Sequence, residues 1–558
     1  MHRAGTSTRP RWLVMMAIAL FAALLASSCA SDDESGDGGN GGNGGNGGDA
    51  AGEEIIDDGA LNTGFVNTQE EMEPVEGGTL TMGMYSPITT LDPAKVNGAG
   101  TAGGIEMAAL YDVLMRFDFE TNDFVPHLAE SLEPNEDFTQ WTLTLRPDIT
   151  FTDGTPYDAE AVAFNMQRLI DNRARIAPVM QGMTWEVTGP LEVTYNLETA
   201  WSGFPYLLAH QGGYIASPTA IQADPENWAD SPVGAGPFAN LAEFAANEVL
   251  ALDANEDYWG EGPYLDQIRF AHLQGDAAKA EAVLSDDFEA GFIRLPVPAR
   301  EVIDAGYPGF LTLNNSGEFL LMNNGVRDQT DRPTADERVR MAVRLAIDSQ
   351  AYNDRGYDGM GFPTNSLMGP RSEWATESTV EADPEEARRL LEEYKAETGW
   401  DGKMSTITAV GSEDRAFSIQ ALLNNVGFDI EVEVLPTITD MINRVFIDAN
   451  YDMISWGMNI ADAEPWVALN NNLSSTSLAN PSGYSDPQID ELLIELRGAD
   501  DPARIQEILD EIQVIWDRDM PGVILSQQPE LIAWNPSVHG VVPTIASMVL
   551  FNETFIAP

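Results

Sequence analysis

Residues 404–456 constrain the fold more than any other stretch of the chain. Met404–Val410, Phe428–Val434 and Tyr451–Ser455 have the branched, apolar character of strands, while Ser412–Asn425 and Thr439–Asp448 lie between them with helical spacing. Gly427 stands where the first helix must end. Strands separated by single helices build a parallel sheet with right-handed crossovers, and ligands on such sheets bind beyond the carboxyl ends of the strands. Here that end is Ser455–Trp466, in which Trp456 and Trp466 offer broad apolar faces and Asn459, Asp462 and Glu464 offer acceptors. On its residues alone the segment is equally a pocket wall or a surface loop over core tryptophans.

Other elements are legible by the same rules. Trp141, Leu143 and Leu145 alternate with Thr142, Thr144 and Arg146 as a half-buried strand, and Asp153-Gly154 turns the chain. Asp158 is placed to cap a helix whose apolar face is Val162, Met166, Leu169 and Ile170. Thr79–Met84 is a strand. The glycines at 98, 100 and 103 fit GxGxxG but trail that strand by more than a dozen residues, so they read as a loop into a helix with Ile105, Ala108, Ala109 and Leu110 inward. Thr334 with Glu337 has capping-box spacing before a face of Val339, Ala342, Val343, Ala346 and Ile347, and Asp383-Pro384 opens another helix that ends near Gly399.

Composition excludes several function classes. A net charge of -60 argues against nucleic acid, which is held by Lys and Arg displacing counterions. Lysine is confined to Lys95, Lys279, Lys395 and Lys403. The lone cysteine, Cys29, rules out intrachain disulfides and thiolate metal sites, and the five histidines form no close pair, so no metal or cofactor is expected. There is no GxSxG elbow, HExxH or Cys–His option for hydrolysis, although paired carboxylates stay open in so acidic a chain.

Arg3, Arg9 and Arg11 precede an apolar run from Trp12 to Ala26, which with Ser27 and Ser28 makes residues 1–28 a signal peptide. Ala26-Ser27-Ser28-Cys29 resembles a relaxed lipobox, which implies lipidation of Cys29 and a membrane attachment through it. Residues 29–76, acidic and then Gly/Asn-rich, read as a disordered tether that spans roughly 35–40 Å root-mean-square over about 45 residues.

The run from "PHLAESLEP" through "WTLTLRPDITFTDGTPYDAEAVAFNMQRL" resembles the peptide/nickel-binding family (family 5) of extracytoplasmic solute-binding proteins of ABC importers. Similar echoes lie at 77–94, "PVGAGPFAN…DANEDYWGEGPYLDQIRF", "RPTADERVRMAVRLAIDSQAY" and "SGYSDPQIDELL", so the likeness extends over nearly everything after residue 76. It implies a two-lobed α/β fold of the periplasmic-binding-protein type (class II, large variant), with the ligand cleft between lobes. Lobe I would span 77–318 with an extra subdomain at about 106–229, lobe II 319–524, and 525–558 would return to lobe I, the crossings near 320 and 525 acting as hinges. The resemblance also favours the pocket reading of Trp456, Asn459, Asp462, Glu464 and Trp466, and adds Tyr85 and Trp374 by family position. Peptide-binding relatives carry, three residues after this tryptophan, a carboxylate that pairs with the ligand's α-ammonium; Asn459 stands there, with Asp462 as a substitute. The expected function is capture of an oligopeptide or dipeptide outside the cytoplasmic membrane by a monomeric, lipid-anchored, non-catalytic receptor that delivers it to an ABC permease. The alternatives are an oligosaccharide receptor and, from another class, a secreted lipid-anchored hydrolase.

Overall fold

One twelve-stranded mixed sheet organises the protein. Its main path runs Asp429–Leu435, Lys403–Ala409, Met453–Trp456, Gly309–Met322, Gly522–Trp534, Ala290–Ile293, Thr79–Met84, Gln267–His272, Val249–Asp253 and Asn240–Ala245. The computed structural model describes residues 61–558; the expected signal peptide, Cys29 and the expected tether as far as residue 60 lie outside them. Lys403–Ala409 pairs in parallel with both Asp429–Leu435 and Met453–Trp456, as the strand–helix alternation requires. At the centre the two longest strands, Gly309–Met322 and Gly522–Trp534, run antiparallel and join the two lobes. Their ladder breaks between Asn314 and Glu318, so Asn315, Ser316 and Gly317 bulge out of it, and Ser316 takes φ 45°.

The extra subdomain has its own four-stranded antiparallel sheet in the order Ala129–Pro134, Gln140–Leu145, Glu192–Leu197 and Met183–Gly189. Trp141, Leu143 and Leu145 point into its core. The helix Ala159–Asp171 starts as expected: Asp158 Oδ1 accepts from the Ala161 amide at 3.0 Å, and Val162, Met166 and Leu169 are buried. Ile170 is 37% exposed, because the helix stripe is narrower than the sequence suggested.

Three further expectations change. The helix after Thr334 is Glu337–Ala346 and is capped by Asp336, which accepts from the Arg338 amide at 2.9 Å. Thr334 instead donates to the Asn323 carbonyl at 2.7 Å from within a short 3-10 turn, because the carboxylate of Asp336 sits nearer the free amides. Thr439–Asp448 is an α-helix only over Ile438–Ile442 and continues as a π-helical turn, Asn443–Ile447. Residues 61–76, expected to belong to the tether, are docked on lobe I. There Gly64–Val66 pairs with Gly309–Leu311, Asn67 Nδ2 donates to the carbonyls of Ile303 and Tyr307, and Val66 joins the core. Leu61 and Val66 give this piece something to bury, and the half-exposed Phe65 lays its ring edge-on against Phe310 and Trp534, contacts the Gly/Asn run cannot make.

Candidate functional site

The chain leaves the carboxyl end of Met453–Trp456 and folds back on the bulge in the first crossing strand. Ile460 and Asn315 exchange backbone hydrogen bonds at 3.1 and 2.9 Å, and the Met458 amide donates to the Ser316 carbonyl at 3.0 Å. Trp456 is half-buried and meets Phe446 edge-on, with ring centroids 5.8 Å apart. Asn459 is exposed at φ 53°, in the left-handed region that asparagine tolerates better than most residues.

Asp462 is held from several sides. Its Oδ1 accepts from Asn315 Nδ2 at 2.7 Å and from Ser372 Oγ at 2.5 Å, while Oδ2 receives only a long contact from the Glu373 amide at 3.4 Å. Burial pushes its carboxyl above the ordinary value, and the hydrogen bonds from Ser372 and Asn315 oppose that rise. Trp374 joins the same cluster by donating its indole N–H to the Asp462 carbonyl at 2.9 Å. Asn315, which sequence reasoning missed, is the node: its Oδ1 also accepts from the Gly369 amide and from Gln527 Nε2 of the second crossing strand.

Glu464 and Trp466 stand at a seam with the chain before the first crossing. Glu464 is 6% exposed and lies so close to Gly203 that a Cβ built there would come 1.4 Å from Glu464 Oε2. Trp466 packs on Trp201 with centroids 5.2 Å apart, and the Arg497 guanidinium sits over both indoles, at 4.8 and 5.3 Å. Ser202 completes the seam by donating its amide to the Arg497 carbonyl and its hydroxyl to the Ala499 carbonyl at 2.6 Å. Burial drives the Glu464 carboxyl up to about 8, against the restraining effects of the Trp201 indole, the Val467 amide and the Arg497 charge.

Lobe I supplies Tyr85 and a residue absent from the sequence-based list. The Tyr85 ring has Lys279 Nζ at 4.8 Å and the Arg294 guanidinium at 5.1 Å. Arg294 in turn pairs with Glu530 of the second crossing strand at 2.8 Å. Arg175 is different. Its side chain is accessible, and among the described residues it makes no ion pair, yet its surroundings desolvate it enough to lower its pKa. Its charge is felt by Tyr206, whose hydroxyl also feels Glu464 across the seam. Burial, with a smaller contribution from Arg175, pushes His210 down to about 4 and so keeps it neutral; its ring stacks on Tyr206 at 5.4 Å.

The loop after the parallel strand Met453–Trp456 is thus fixed against the bulge of the first crossing strand, and comparison with known proteins identifies the family to which this fold belongs. Residues 123–480 match the bacterial extracellular solute-binding proteins, family 5 (middle region). The chain belongs to this family. It is thus a substrate-binding protein of the ABC-transporter type, in an extracytoplasmic family of solute binders. Over 341 residues it is 27% identical to the nickel-binding periplasmic protein of Escherichia coli, covering 59% of this chain and 60% of that one. Over 479 residues it is 24% identical to the glutathione-binding protein GsiB of Salmonella paratyphi A, covering 82% and 90%. Among solved structures, DppA of Helicobacter pylori in complex with the peptide STSA superposes with a TM-score of 0.73 at 20% identity, covering 87% of this chain and 99% of DppA. The agropinic acid complex of AgaA from A. tumefacien R10 gives 0.72 at 22%, covering 86% and 99%. These two likenesses establish the fold of the family-5 protein described here.

Proposed function

We propose that this family-5 protein is a lipid-anchored receptor that captures a short peptide or peptide-like solute bearing a free carboxylate and presents it to an ABC permease. The observation that carries the reading is the exposed guanidinium of Arg175, desolvated by its neighbours and without an ion pair among the described residues, in a chain whose net charge is -60. A carboxylate is its natural partner, since a charge-assisted and often bidentate pair is worth more in desolvated surroundings than in water. Asp462 Oδ2, which accepts only the long contact from the Glu373 amide, is the acceptor we assign to a solute ammonium, the role that Asn459 cannot fill as a neutral amide. Trp456 and Tyr85 give the solute apolar walls. A zwitterion gripped at opposite ends by opposite lobes is held only when they are together, so its binding shifts the population towards the closed form. The hinges of this motion are the bulge at Asn315–Gly317 and the partner segment at Ser526–Gln528. Lipidation of Cys29 would keep the receptor at the outer face of the cytoplasmic membrane.

An oligosaccharide is the second reading, favoured by the amide of Asn459 beside the half-buried Trp456, since indole faces stack on sugar rings and amides meet hydroxyls. Native mass spectrometry of the purified protein, followed by calorimetric titration with di- to pentapeptides and with oligosaccharides, separates the two. Binding confined to sugars, or turnover of any compound in the panel, removes the peptide reading.

A further inference from the structure

We propose that Trp201–Gly203 of the extra subdomain and Glu464–Trp466 of lobe II form a latch that completes closure, with Glu464 lying on the bare Cα of Gly203 and Arg497 lying over both Trp201 and Trp466. This deepens the receptor reading, because it assigns part of the closing force to contacts between protein and protein. The two segments belong to opposite sides of the first crossing strand, and they meet through hydrogen bonds from the Ser202 amide to the Arg497 carbonyl and from its hydroxyl to the Ala499 carbonyl, an indole pair and a guanidinium that caps both rings. Gly203 leaves room for this approach. Any side chain there would occupy the volume of the Glu464 carboxyl.

The carboxyl is the costly part of the latch. Oε1 of Glu464 is buried with no hydrogen-bond partner among the described residues, and so is Nε of Arg497, whose charge Glu464 feels without an ion pair between them. The groups facing Glu464 are the Trp201 indole and Tyr206 hydroxyl of lobe I, with Arg175 beyond Tyr206, the Arg497 guanidinium of the Pro487–Gly498 helix, the Val467 amide, and Asp462 in its own loop. Closing therefore favours the protonated acid. In the parted form the same carboxyl is hydrated and titrates near its ordinary 4.5, against about 8 in the seam. The sign follows: below the lower value both forms hold the proton and closure is pH-independent. Between the two values closure takes up a proton, so the closed-to-open ratio falls by up to tenfold per pH unit as pH rises; above the upper value it levels off. Solute capture through this latch brings a proton with it.

Small-angle X-ray scattering on the solute-free protein tests this without any assumption about the solute, so its failure is distinguishable from failure of the peptide reading. Wild type, Glu464→Gln and Gly203→Ala are compared at pH 5 and pH 8.5 at fixed ionic strength. The variant Glu464→Gln removes one carboxyl from a chain with 89 acidic residues, so its difference from wild type isolates this group from general charge repulsion. Wild type is expected to expand between the two pH values and Glu464→Gln to stay compact at both. Gly203→Ala is expected to be expanded at both, and the double variant Gly203→Ala/Glu464→Ala to regain compactness. Parallel behaviour of wild type and Glu464→Gln across the pH range, or a Gly203→Ala profile matching wild type, overturns the proposal.

Discussion

Asn315→Ala is the perturbation whose consequence can be worked out most fully. The side chain is completely buried at the bulge of the first crossing strand and makes four hydrogen bonds: to Asp462 Oδ1 at 2.7 Å, to the Ile460 carbonyl at 3.3 Å, and from the Gly369 amide at 3.0 Å and Gln527 Nε2 at 2.9 Å. Removing it strips a charge-assisted bond from Asp462, worth about 1.5–3 kcal/mol, and leaves two buried donors unsatisfied at about 1–3 kcal/mol each. Water entering the vacated space recovers part of this, so the expected loss is about 3–5 kcal/mol. Urea unfolding should show a lower midpoint at unchanged slope. Because the same amide fixes the loop that carries Trp456 and Asp462, peptide affinity measured at a urea-free, fully folded condition should fall as well. A midpoint shift worth less than about 1 kcal/mol, with affinity unchanged, would refute the view that Asn315 ties the crossing strands to the binding loop.

Further outcomes follow from other buried groups. Trp456→Ala should weaken the solute-induced fluorescence change and the affinity together; unchanged affinity would place the pocket elsewhere. Glu318 is buried and accepts from Tyr352 Oη at 2.6 Å, from Tyr357 Oη and from Arg415 at 2.9 Å, so Glu318→Ala should cost about 3 kcal/mol by leaving a half-buried guanidinium unpaired, read as a urea midpoint. Glu106 is 1% exposed with both oxygens unpartnered among the described residues, and burial pushes it up to about 7. The folded chain therefore holds a proton there that the unfolded chain releases above about 4.5. Stability is lost as pH rises through that window, and Glu106→Gln should be more stable than wild type at pH 8 by up to about 3 kcal/mol while differing little at pH 4. No difference at pH 8 would show that Glu106 is hydrated in solution.

Much of the scaffold was legible because local chemistry and global fold agree in it. Asp158 and Asp383 cap their helices as their spacing suggests, Gly399 and Gly427 close theirs in the left-handed conformation, and the strands around 403–456 are parallel as a strand–helix alternation demands. The misreadings arose where two local signals competed, as Asp336 outbid Thr334, or where a polar run hid a short apolar anchor, as at Phe65 and Val66. The loop after Trp456 was visible as a candidate wall because strand ends are predictable. The burial of Trp466 was not, since the surface that covers it, Trp201, comes from the extra subdomain. Arg175 was missed for a related reason: its significance is desolvation without an ion-pair partner among the described residues, and both are properties of three dimensions.

The most direct measurement of the central claim is calorimetric titration of wild type and Arg175→Ala with a panel of short peptides, each offered as the free acid and as the carboxyl-terminal amide. The account expects wild type to bind at least one free acid and to lose tenfold or more on amidation, with Arg175→Ala binding both forms equally weakly. Equal binding of acid and amide by wild type, or a free-acid preference that survives in Arg175→Ala, would contradict it.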